Sequence, residues 1–290
     1  MKAVQKRSIL TATMVAALLS SCRTPREPRE HAAEPAAPSA VTSLSARPAD
    51  TAGDVPPPPP PGLEPLGADA PIVDLPVEGF RDAVVSVPLG AKEKRPVMVA
   101  LHGNYDRPEW QCEVWREIAK GHPFILCPRG IPRMGAPKSE DRWEYGGLKK
   151  TEEELLAGLA ALEKRFDAHV DRGPVLFTGF SLGAILGRHL LVKHAERFPR
   201  AVLTEGGYEG WSHSFAKRYR EAGGERVLFA CGQYACKAAA KSAARVLDKQ
   251  QLPARVADGG NIGHTYDGRV GRAIQDELGW LLEGDVRWRR

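Results

Sequence analysis

Residues 179–183 read Gly-Phe-Ser-Leu-Gly and place the Ser181 hydroxyl between two glycines. This spacing is typical of a nucleophilic serine on a sharp strand-to-helix turn, where larger residues two positions to either side would collide. A β-prone run, 175–178, precedes it, and a helical pattern follows it. Because the bare pattern also occurs by chance, the interpretation depends on this context. The sequence therefore predicts that Ser181 is a nucleophile at the top of a sheet.

Strand-like and helix-like segments alternate around Ser181. After residue 90, the β-prone runs bounded by turn residues are 97–101, 124–127, 175–178, 201–204, 227–230 and 255–257. An earlier run, 83–87, is expected to form an antiparallel edge strand. Helical patterns cover 184–196 and 237–249, a capping-box signature formed by Thr151 and Glu154 starts another helix, and an amphipathic helix ends the chain. This alternation predicts one α/β domain with a mainly parallel sheet covered on both faces.

Ligands of such sheets bind beyond the carboxyl ends of the strands. With its Gly-x-Ser-x-Gly turn there, the chain resembles the α/β-hydrolase superfamily, particularly small bacterial esterases of the dienelactone-hydrolase and polyester-depolymerase type. The resemblance covers about residues 83–282. It implies a Ser–His–acid triad in the chain order nucleophile, acid, histidine. It also implies hydrolysis of a carboxylic ester through an acyl-enzyme intermediate, without a metal or an organic cofactor.

The resemblance places the catalytic base after Ser181, where the chain has His189, His194, His213 and His264. His189 and His194 fall within the predicted helix after the nucleophile, and His213 lies in a loop after the fourth run. His264 follows the last predicted strand in a glycine-rich loop, which is where the superfamily carries its base. We expect His264 to remove the Ser181 proton and to donate it to the leaving alcohol.

The acid of the triad departs from the superfamily's pattern. Its usual loop, after the run 227–230, reads Cys-Gly-Gln-Tyr-Ala-Cys at residues 231–236 and holds no carboxylate. Glu205 ends the preceding strand, from which some lipases of the superfamily draw their acid, and it is the first choice. Asp258, after the last strand, is the second choice, and Glu209 is the third. The vacant position also leaves open a non-catalytic surface module with the same fold.

Residues 102–104 read His-Gly-Asn directly after the run 97–101. They are similar to the superfamily's His-Gly turn, whose backbone forms half of the oxyanion hole. The resemblance assigns the backbone N–H groups of Asn104 and Leu182 to the oxyanion hole and assigns His102 to support of the turn. Removing one such donor costs on the order of 3 kcal/mol in the transition state.

Two loops at the catalytic end, 104–111 and 129–150, carry aromatic side chains: Tyr105, Trp110, Trp143 and Tyr145. These rings line an acyl or aryl pocket, or they pack the loops against the domain, and the residues alone do not choose. The segment after Glu205 is too short for a large cap. An open site suits an ester substrate that is either a small molecule or a polymer, and an amide or peptide substrate is the close alternative.

Four cysteines lie in the predicted domain: Cys112, Cys127, Cys231 and Cys236. An even number in an oxidising compartment suggests two disulfides, for which three connectivities exist. We favour Cys112–Cys127 and Cys231–Cys236 because each pair is local, and four free buried thiols are the alternative. No metal site is expected, since neither pair has Cys-x2-Cys spacing and no histidine neighbours them.

The first 22 residues indicate export. A basic start, residues 1–7, precedes an apolar stretch, 9–19, that is too short to span a bilayer as a helix. The following Leu-Ser-Ser-Cys resembles the bacterial lipobox, which makes residues 1–21 a signal peptide and Cys22 the lipidated first residue of the mature protein. An ordinary signal peptide with a chance cysteine is the alternative. Arg23 is not the aspartate typical of inner-membrane retention, so the outer membrane is favoured.

Residues 22–70 include half of the chain's 24 prolines and show no apolar periodicity. Such a segment cannot bury enough surface to offset its ordering entropy, so it predicts a disordered tether between the lipid and a domain at 71–290. We therefore expect a lipid-anchored protein of the cell envelope, with its domain in the periplasm or at the cell surface.

The composition, 42% hydrophobic and 27% charged residues, excludes a disordered chain, a coiled coil and a polytopic membrane protein. The net charge of +5 includes Lys2, Lys6 and Arg7, which lie in an acid-free leader, so the mature charge is 5 − 3 = +2. That charge is too small for the electrostatic footprint of a nucleic-acid-binding protein, and no nucleic-acid partner is expected.

Overall fold

The computed structural model describes residues 62–289. The predicted signal peptide, Cys22 and most of the predicted tether lie outside the described residues. Within them, no helix combines the length and the apolar character that a membrane span requires.

The last part of the predicted tether, residues 62–70, packs against the domain. The Leu66 N–H donates to the Ala91 carbonyl at 2.9 Å, the Gly90 N–H donates back to the Leu66 carbonyl at 2.8 Å, and the Leu66 side chain is buried. The packed part of the chain therefore begins before residue 71.

The strands are β1 (Ile72–Leu75), β2 (Ala83–Ser86), β3 (Val97–Leu101), β4 (Phe124–Cys127), β5 (Ile131–Pro132), β6 (Trp143–Glu144), β7 (Leu176–Phe180), β8 (Arg200–Thr204), β9 (Arg226–Cys231) and β10 (Ala254–Asp258). Eight of them form one sheet in the order β1-β2-β4-β3-β7-β8-β9-β10, and β5 pairs with β6 separately. Strands β3, β4 and β7 to β10 are parallel, whereas β1 and β2 are antiparallel to their neighbours.

The central strands coincide closely with the β-prone runs because a sheet covered on both faces selects continuous apolar segments. The edge was predicted wrongly. β2 pairs antiparallel as expected, but β1 covers its outer side and is itself the edge strand. β1 reads Ile-Val-Asp-Leu and is only partly buried, so its apolar signal is weak.

The helices are α1 (Pro108–Ile118), α2 (Leu148–Arg165), α3 (Leu182–Lys193), α4 (His213–Glu221), α5 (Tyr234–Asp248) and α6 (Gly268–Leu281). Buried residues of α1 and α6 pack on one face of the sheet, and those of α2 to α5 pack on the other. The structure thus confirms a single α/β domain with a mainly parallel sheet covered on both faces. The loops predicted at 104–111 and around His213 contain the starts of α1 and α4.

The predicted capping box at Thr151 and Glu154 does not form. α2 begins three residues earlier, at Leu148, and the Thr151 hydroxyl donates back to the Gly147 carbonyl at 2.9 Å. The Glu154 carboxylate instead accepts the Gly130 N–H at 2.7 Å, and burial raises the pKa of this carboxyl group. A tertiary contact therefore replaces the local one.

Both cysteine pairs favoured by the sequence are joined in the structure. Cys112 on α1 is bonded to Cys127 at the end of β4, with 6.0 Å between their Cα atoms. Cys231 ends β9 and is bonded to Cys236 in the first turn of α5, with 5.6 Å between their Cα atoms. Each disulfide ties the carboxyl end of a parallel strand to a helix.

Candidate active site

Ser181 occupies the turn between β7 and α3 with φ +50° and ψ −113°, a backbone conformation that L residues rarely adopt. Its two flanking glycines are required sterically. A Cβ on Gly179 would lie 2.7 Å from the Gly183 backbone, and one on Gly183 would lie 2.4 Å from the Leu101 carbonyl oxygen. The Gly-x-Ser-x-Gly spacing therefore permits a close packing of helix, strand and neighbouring strand that presents the serine at the sheet edge.

Glu205 lies directly beyond β8 and contacts His264. One carboxylate oxygen, Oε2, is 3.2 Å from Nδ1 of His264, and the other, Oε1, accepts the N–H of Gly232. The Glu205 side chain is 1% exposed, whereas the His264 side chain is 45% exposed. The structure thus brings together a buried carboxylate and an accessible imidazole whose other nitrogen, Nε2, does not contact the carboxylate.

The two lower-ranked acids lie elsewhere. Asp258 pairs with Lys237 at 2.9 Å and accepts the Gly260 N–H at 2.8 Å. Lys237 is the main cause of the lowered pKa of this exposed carboxyl group. Glu209 is exposed. Neither carboxylate makes a hydrogen bond or ion pair with His264 in the described part of the chain.

The other histidines after Ser181 have structural surroundings. His189 contacts the Arg188 guanidinium, His194 pairs with Glu152 at 2.7 Å, and His213 is the first residue of α4. His189 and His213 lie on helices, and His194 is the C-cap residue of α3. Only His264 contacts a buried carboxylate among the histidines that the structure describes beyond Ser181.

Packing brings Ser181 to the same edge of the sheet as the Glu205–His264 pair. The ring of Phe180 lies 4.9 Å from the ring of His264, measured between centroids. A Cβ on Gly206 would lie 2.7 Å from the Ser181 carbonyl oxygen, so the end of β8 packs directly against the serine turn. Within residues 62–289, the Ser181 hydroxyl has no hydrogen-bond partner. A serine–histidine hydrogen bond commonly tightens only when substrate binds.

The backbone N–H groups of residues 102–106 show which donors are available for an oxyanion. Four of the five are satisfied within the protein: His102 N–H by Tyr145 Oη, Gly103 N–H by Asp106 Oδ2, and Tyr105 and Asp106 N–H by the Trp143 carbonyl. Asn104 N–H has no acceptor among the described residues. Leu182 N–H, in the first turn of α3, has none there either. These are the two donors that the resemblance assigned to the oxyanion hole.

Asp106 is a buried acid that sequence reasoning missed. It accepts hydrogen bonds from the Gly103 N–H at 3.2 Å, the Gln111 side chain at 3.2 Å and the Tyr266 hydroxyl at 3.2 Å. Burial, and then Asp106, raise the pKa of Tyr266, so this hydroxyl stays protonated as a donor. Since Tyr266 lies two residues after His264, Asp106 joins the turn 102–104 to the histidine loop. The sequence signal that could have pointed to Asp106 is an acid two positions before Pro108, which starts α1.

His102 supports the turn as expected. It is fully buried, its ring nitrogens lie 2.7 Å and 2.9 Å from the carbonyl oxygens of Gly103 and Arg129, and burial lowers its pKa. Tyr145 stacks on it with 4.4 Å between ring centroids and donates its hydroxyl to the Pro128 carbonyl at 3.2 Å. Tyr145 therefore packs the loop against the domain.

The remaining loop aromatics are covered by arginines. The guanidinium groups of Arg81 and Arg129 lie 5.4 Å and 5.2 Å from the centre of the Trp143 ring. Arg107 and Arg142 lie over the Trp110 ring in the same way, and Arg142 also lies 5.3 Å from the centre of the Tyr105 ring. Both rings are nevertheless exposed, and the Tyr105 hydroxyl donates to Glu140. Packing of the loops therefore accounts for Tyr145 and Trp143, whereas Tyr105 and Trp110 are exposed.

The loop 231–236 supplies no carboxylate to the site, but its backbone positions the Glu205–His264 pair. Gly232 donates its N–H to Glu205, and its carbonyl accepts the N–H groups of Ile262 and Gly263 at 2.9 Å and 3.0 Å. The Cys231–Cys236 disulfide closes this loop. An oxygen of Glu205 and both sulfurs lie within 4.8 Å of one another, but sulfurs joined in a disulfide are not metal ligands.

No protein-family model matches the sequence. No curated protein matches it either. Solved structures do match: FphF, a fluorophosphonate-binding serine hydrolase of Staphylococcus aureus, has 12% identity and a TM-score of 0.54 over 73% of this chain and 97% of that one. The Bacillus cereus carboxylesterase has 18% identity and a TM-score of 0.51, over 70% of this chain and 96% of that one.

An uncharacterized protein from Bacillus cereus ATCC 10987 has 13% identity and a TM-score of 0.54, with 67% of this chain covering 61% of that one. At these identities the likeness concerns the fold. Together with the strand order and the serine turn between β7 and α3, it defines the fold as that of the α/β-hydrolases.

Proposed function

We propose that this protein is a serine hydrolase that cleaves carboxylic esters. The observation that carries the proposal is the contact of the buried Glu205 carboxylate with Nδ1 of His264, beside the turn of Ser181. Nucleophile, acid and base follow β7, β8 and β10 in that order, at the carboxyl ends of the parallel strands, where this fold binds ligands. A serine hydrolase and a carboxylesterase among the structural neighbours also support a hydrolytic function.

In the proposed reaction, Ser181 Oγ attacks the ester carbonyl carbon and its proton passes to Nε2 of His264. The Nδ1–H of His264 donates to Glu205, which leaves Nε2 unprotonated and able to accept that proton. The resulting oxyanion accepts hydrogen bonds from the N–H groups of Asn104 and Leu182. Both donors are preorganised by their backbones, so they cost no reorganisation during the reaction.

Collapse of this intermediate expels the alcohol, which takes the proton from His264, and leaves the acyl group on Ser181. A water molecule then repeats the sequence: it loses a proton to His264, attacks the acyl carbonyl, and releases the acid with Ser181 restored. Every proton in this cycle moves between the substrate, water, Ser181 and His264, so the chemistry needs no metal or organic cofactor. The same site would act on amides and peptides if the leaving group were an amine.

We also propose that the protein is exported as a lipoprotein and anchored in the cell envelope through Cys22, with the outer membrane favoured. Its support is the lipobox-like Leu-Ser-Ser-Cys at residues 19–22 together with the two disulfides of the domain. Disulfides persist in oxidising compartments such as the bacterial periplasm.

The direct test is hydrolysis of para-nitrophenyl acetate and butyrate by the protein exported into an oxidising compartment, with Ser181→Ala in parallel. We expect turnover that falls at least about a thousandfold in the variant, because the remaining groups supply no nucleophile for the acyl-enzyme route. Equal rates in the two proteins would show that Ser181 is not the nucleophile. A folded protein without turnover would favour a non-catalytic surface module.

A further inference from the structure

A cavity of about 360 Å³ adjoins the serine turn on the α3 side. It is lined by Ile185, Arg188 and the segment that follows β8, residues 205–210. Ile185 lies one turn beyond Ser181 on α3, since its N–H donates to the Ser181 carbonyl at 3.0 Å. A cavity of this size accommodates part of a small organic substrate. The reaction described above uses none of its side chains except Glu205.

The distinctive group in this cavity is the half-buried guanidinium of Arg188. Burial lowers its pKa, while the charge of Glu209 raises it. One nitrogen, Nη2, donates to Nε2 of His189 at 2.7 Å, and the guanidinium lies 5.0 Å from the centre of the Phe215 ring. The other nitrogen donors of Arg188 have no acceptor within the described residues. These donors are therefore available to an anion that enters the cavity.

The neighbouring groups favour an anion at this guanidinium. His189 accepts from Arg188, so it is neutral, and burial and the charge of Arg188 both lower its pKa. Tyr208 also lines the cavity. Its hydroxyl has no hydrogen-bond partner among the described residues, and burial raises its pKa, so it remains a donor. Two opposing charges line the cavity: Glu205, whose oxygens contact His264 and the Gly232 N–H, and Glu209, which is exposed. Neither makes an ion pair with Arg188 in this part of the structure.

The guanidinium is held at a set distance from the serine. Arg188 lies seven residues after Ser181, on the same side of α3, which corresponds to about 10 Å along the helix axis. Helical side chains lean toward the N-terminus, which shortens that distance at the level of the side chain. Gly210 closes the far side: a Cβ there would lie 2.0 Å from Nη1 of Arg188. An anion several bonds away from a scissile carbonyl would match this spacing.

We propose that Arg188, with the Tyr208 hydroxyl, forms a subsite for a carboxylate carried by the substrate, so that the enzyme prefers esters with a second, ionised carboxyl group. This inference rests on the proposed function for its substrate class. The subsite itself is a binding site, and its anion affinity can be measured without turnover.

The kinetic test compares matched esters in the wild-type protein and in Arg188→Gln. The first pair is the para-nitrophenyl monoester of adipic acid against para-nitrophenyl hexanoate, with the anion on the acyl side. The second pair is acetoxyphenyl propanoate against propylphenyl acetate, with the anion on the alcohol side. For at least one pair, we expect Arg188→Gln to lower the ratio of kcat/KM, anionic over neutral, about tenfold.

Two variants serve as matched controls. Arg218 also lies over the Phe215 ring, at 5.4 Å, but does not line the cavity, so Arg218→Gln is expected to leave the ratio unchanged. Glu209→Gln removes the opposing charge and is expected to raise the ratio. An Arg218→Gln effect as large as that of Arg188→Gln would show only a loss of general positive charge and would overturn the subsite.

A binding arm separates this inference from the proposed function. Calorimetric titration of Ser181→Ala with adipate, at low ionic strength, should show binding that weakens about tenfold when Arg188→Gln is added. If no ester is turned over but this Arg188-dependent binding is found, the proposed function fails and the subsite stands. If esters are turned over but neither the ratios nor adipate binding depend on Arg188, the serine hydrolase stands and the subsite is refuted.

Discussion

Ser181 and Glu205 share one local geometry on neighbouring strands. Each follows the last residue of its strand with a positive φ, +50° and +51°. Each still donates its N–H to the next strand, Ser181 to the Thr204 carbonyl and Glu205 to the Ala230 carbonyl, both at 2.9 Å. The backbone therefore turns sharply at each residue while the hydrogen bonds between the strands continue. This turn places each side chain beyond the edge of the sheet. Such strain persists where the surroundings over-determine it, and it is common at functional sites.

At the same scale, the substitution Glu205→Gln should lower kcat by about three to four orders of magnitude. The Gln oxygen would keep the hydrogen bond from the Gly232 N–H, so its amide nitrogen would face Nδ1 of His264. Nδ1 of His264 would then have to accept a hydrogen bond from this amide, so the ring proton would move to Nε2. With Nε2 protonated, His264 could no longer receive the Ser181 proton. The measurement is the kcat of para-nitrophenyl butyrate hydrolysis, with Asp258→Asn as the control, since Asp258 pairs with Lys237. Unchanged turnover in Glu205→Gln would remove Glu205 from the triad.

At the scale of elements, the two disulfides perform different tasks. Cys112–Cys127 closes a 15-residue separation between α1 and β4, and among the described residues no hydrogen bond joins either cysteine to Glu205, Gly232 or His264. Cys231–Cys236 closes a separation of 5 residues around Gly232, which contacts both Glu205 and the loop before His264. By reducing the entropy of the unfolded chain, a disulfide over the longer separation stabilises the fold by about 3 kcal/mol, and one over the shorter separation by about 2 kcal/mol. Stability should thus depend more on the first disulfide, and catalysis more on the second.

This difference predicts opposite outcomes for two double variants. Replacing Cys231 and Cys236 by alanine should lower kcat at least about tenfold with a modest loss of stability, because a 1 Å displacement of catalytic groups can cost far more than that. Replacing Cys112 and Cys127 should lower the urea midpoint further and leave kcat nearly unchanged at low temperature. Equal kcat values in the two double variants would contradict the positioning role of the 231–236 loop.

At the scale of the whole molecule, the packed N-terminal segment and the candidate active site lie at opposite edges of the sheet. Leu66 pairs with residues that precede β3, and the Glu64 carbonyl lies 2.8 Å from a ring nitrogen of His169, which precedes β7. Parallel strands begin at one edge and end at the other, and Ser181 follows the end of β7. Residues 62–66 thus pack at the amino edge, and Ser181 lies at the opposite, carboxyl edge.

The lipid anchor can be tested at this scale with Cys22→Ser. We expect the wild-type protein to partition into the detergent phase of a phase-separated extract and the variant to remain in the aqueous phase, because the acyl chains supply the membrane affinity. Hydrolysis of soluble esters should be equal in both, since residue 22 precedes an entry point opposite the catalytic edge. Recovery of both proteins in the aqueous phase would exclude the anchor.

The sequence alone determined the elements that depend on local or strictly periodic signals. The buried parallel strands are continuous apolar runs because both faces of the sheet are covered. The serine turn is visible because the two glycines that its close packing requires stand within five consecutive residues, 179–183. The edge strand β1 and the start of α2 were missed or misplaced, since a half-buried strand carries a weak pattern and a tertiary contact of Glu154 replaced a local cap.

Only the tertiary structure decided which distant side chains meet. Glu205 and His264 are 59 residues apart, and Asp106 and Tyr266 are 160 apart. Their contacts follow from the order of strands in the sheet and from loops that hydrogen-bond across it, which no local spacing encodes. The sequence could therefore rank Glu205 above Asp258, but the choice depends on which strand end lies beside the histidine loop. The Arg188 cavity exists for the same reason, because it is bounded by α3 and the segment after β8, which come together only in the folded domain.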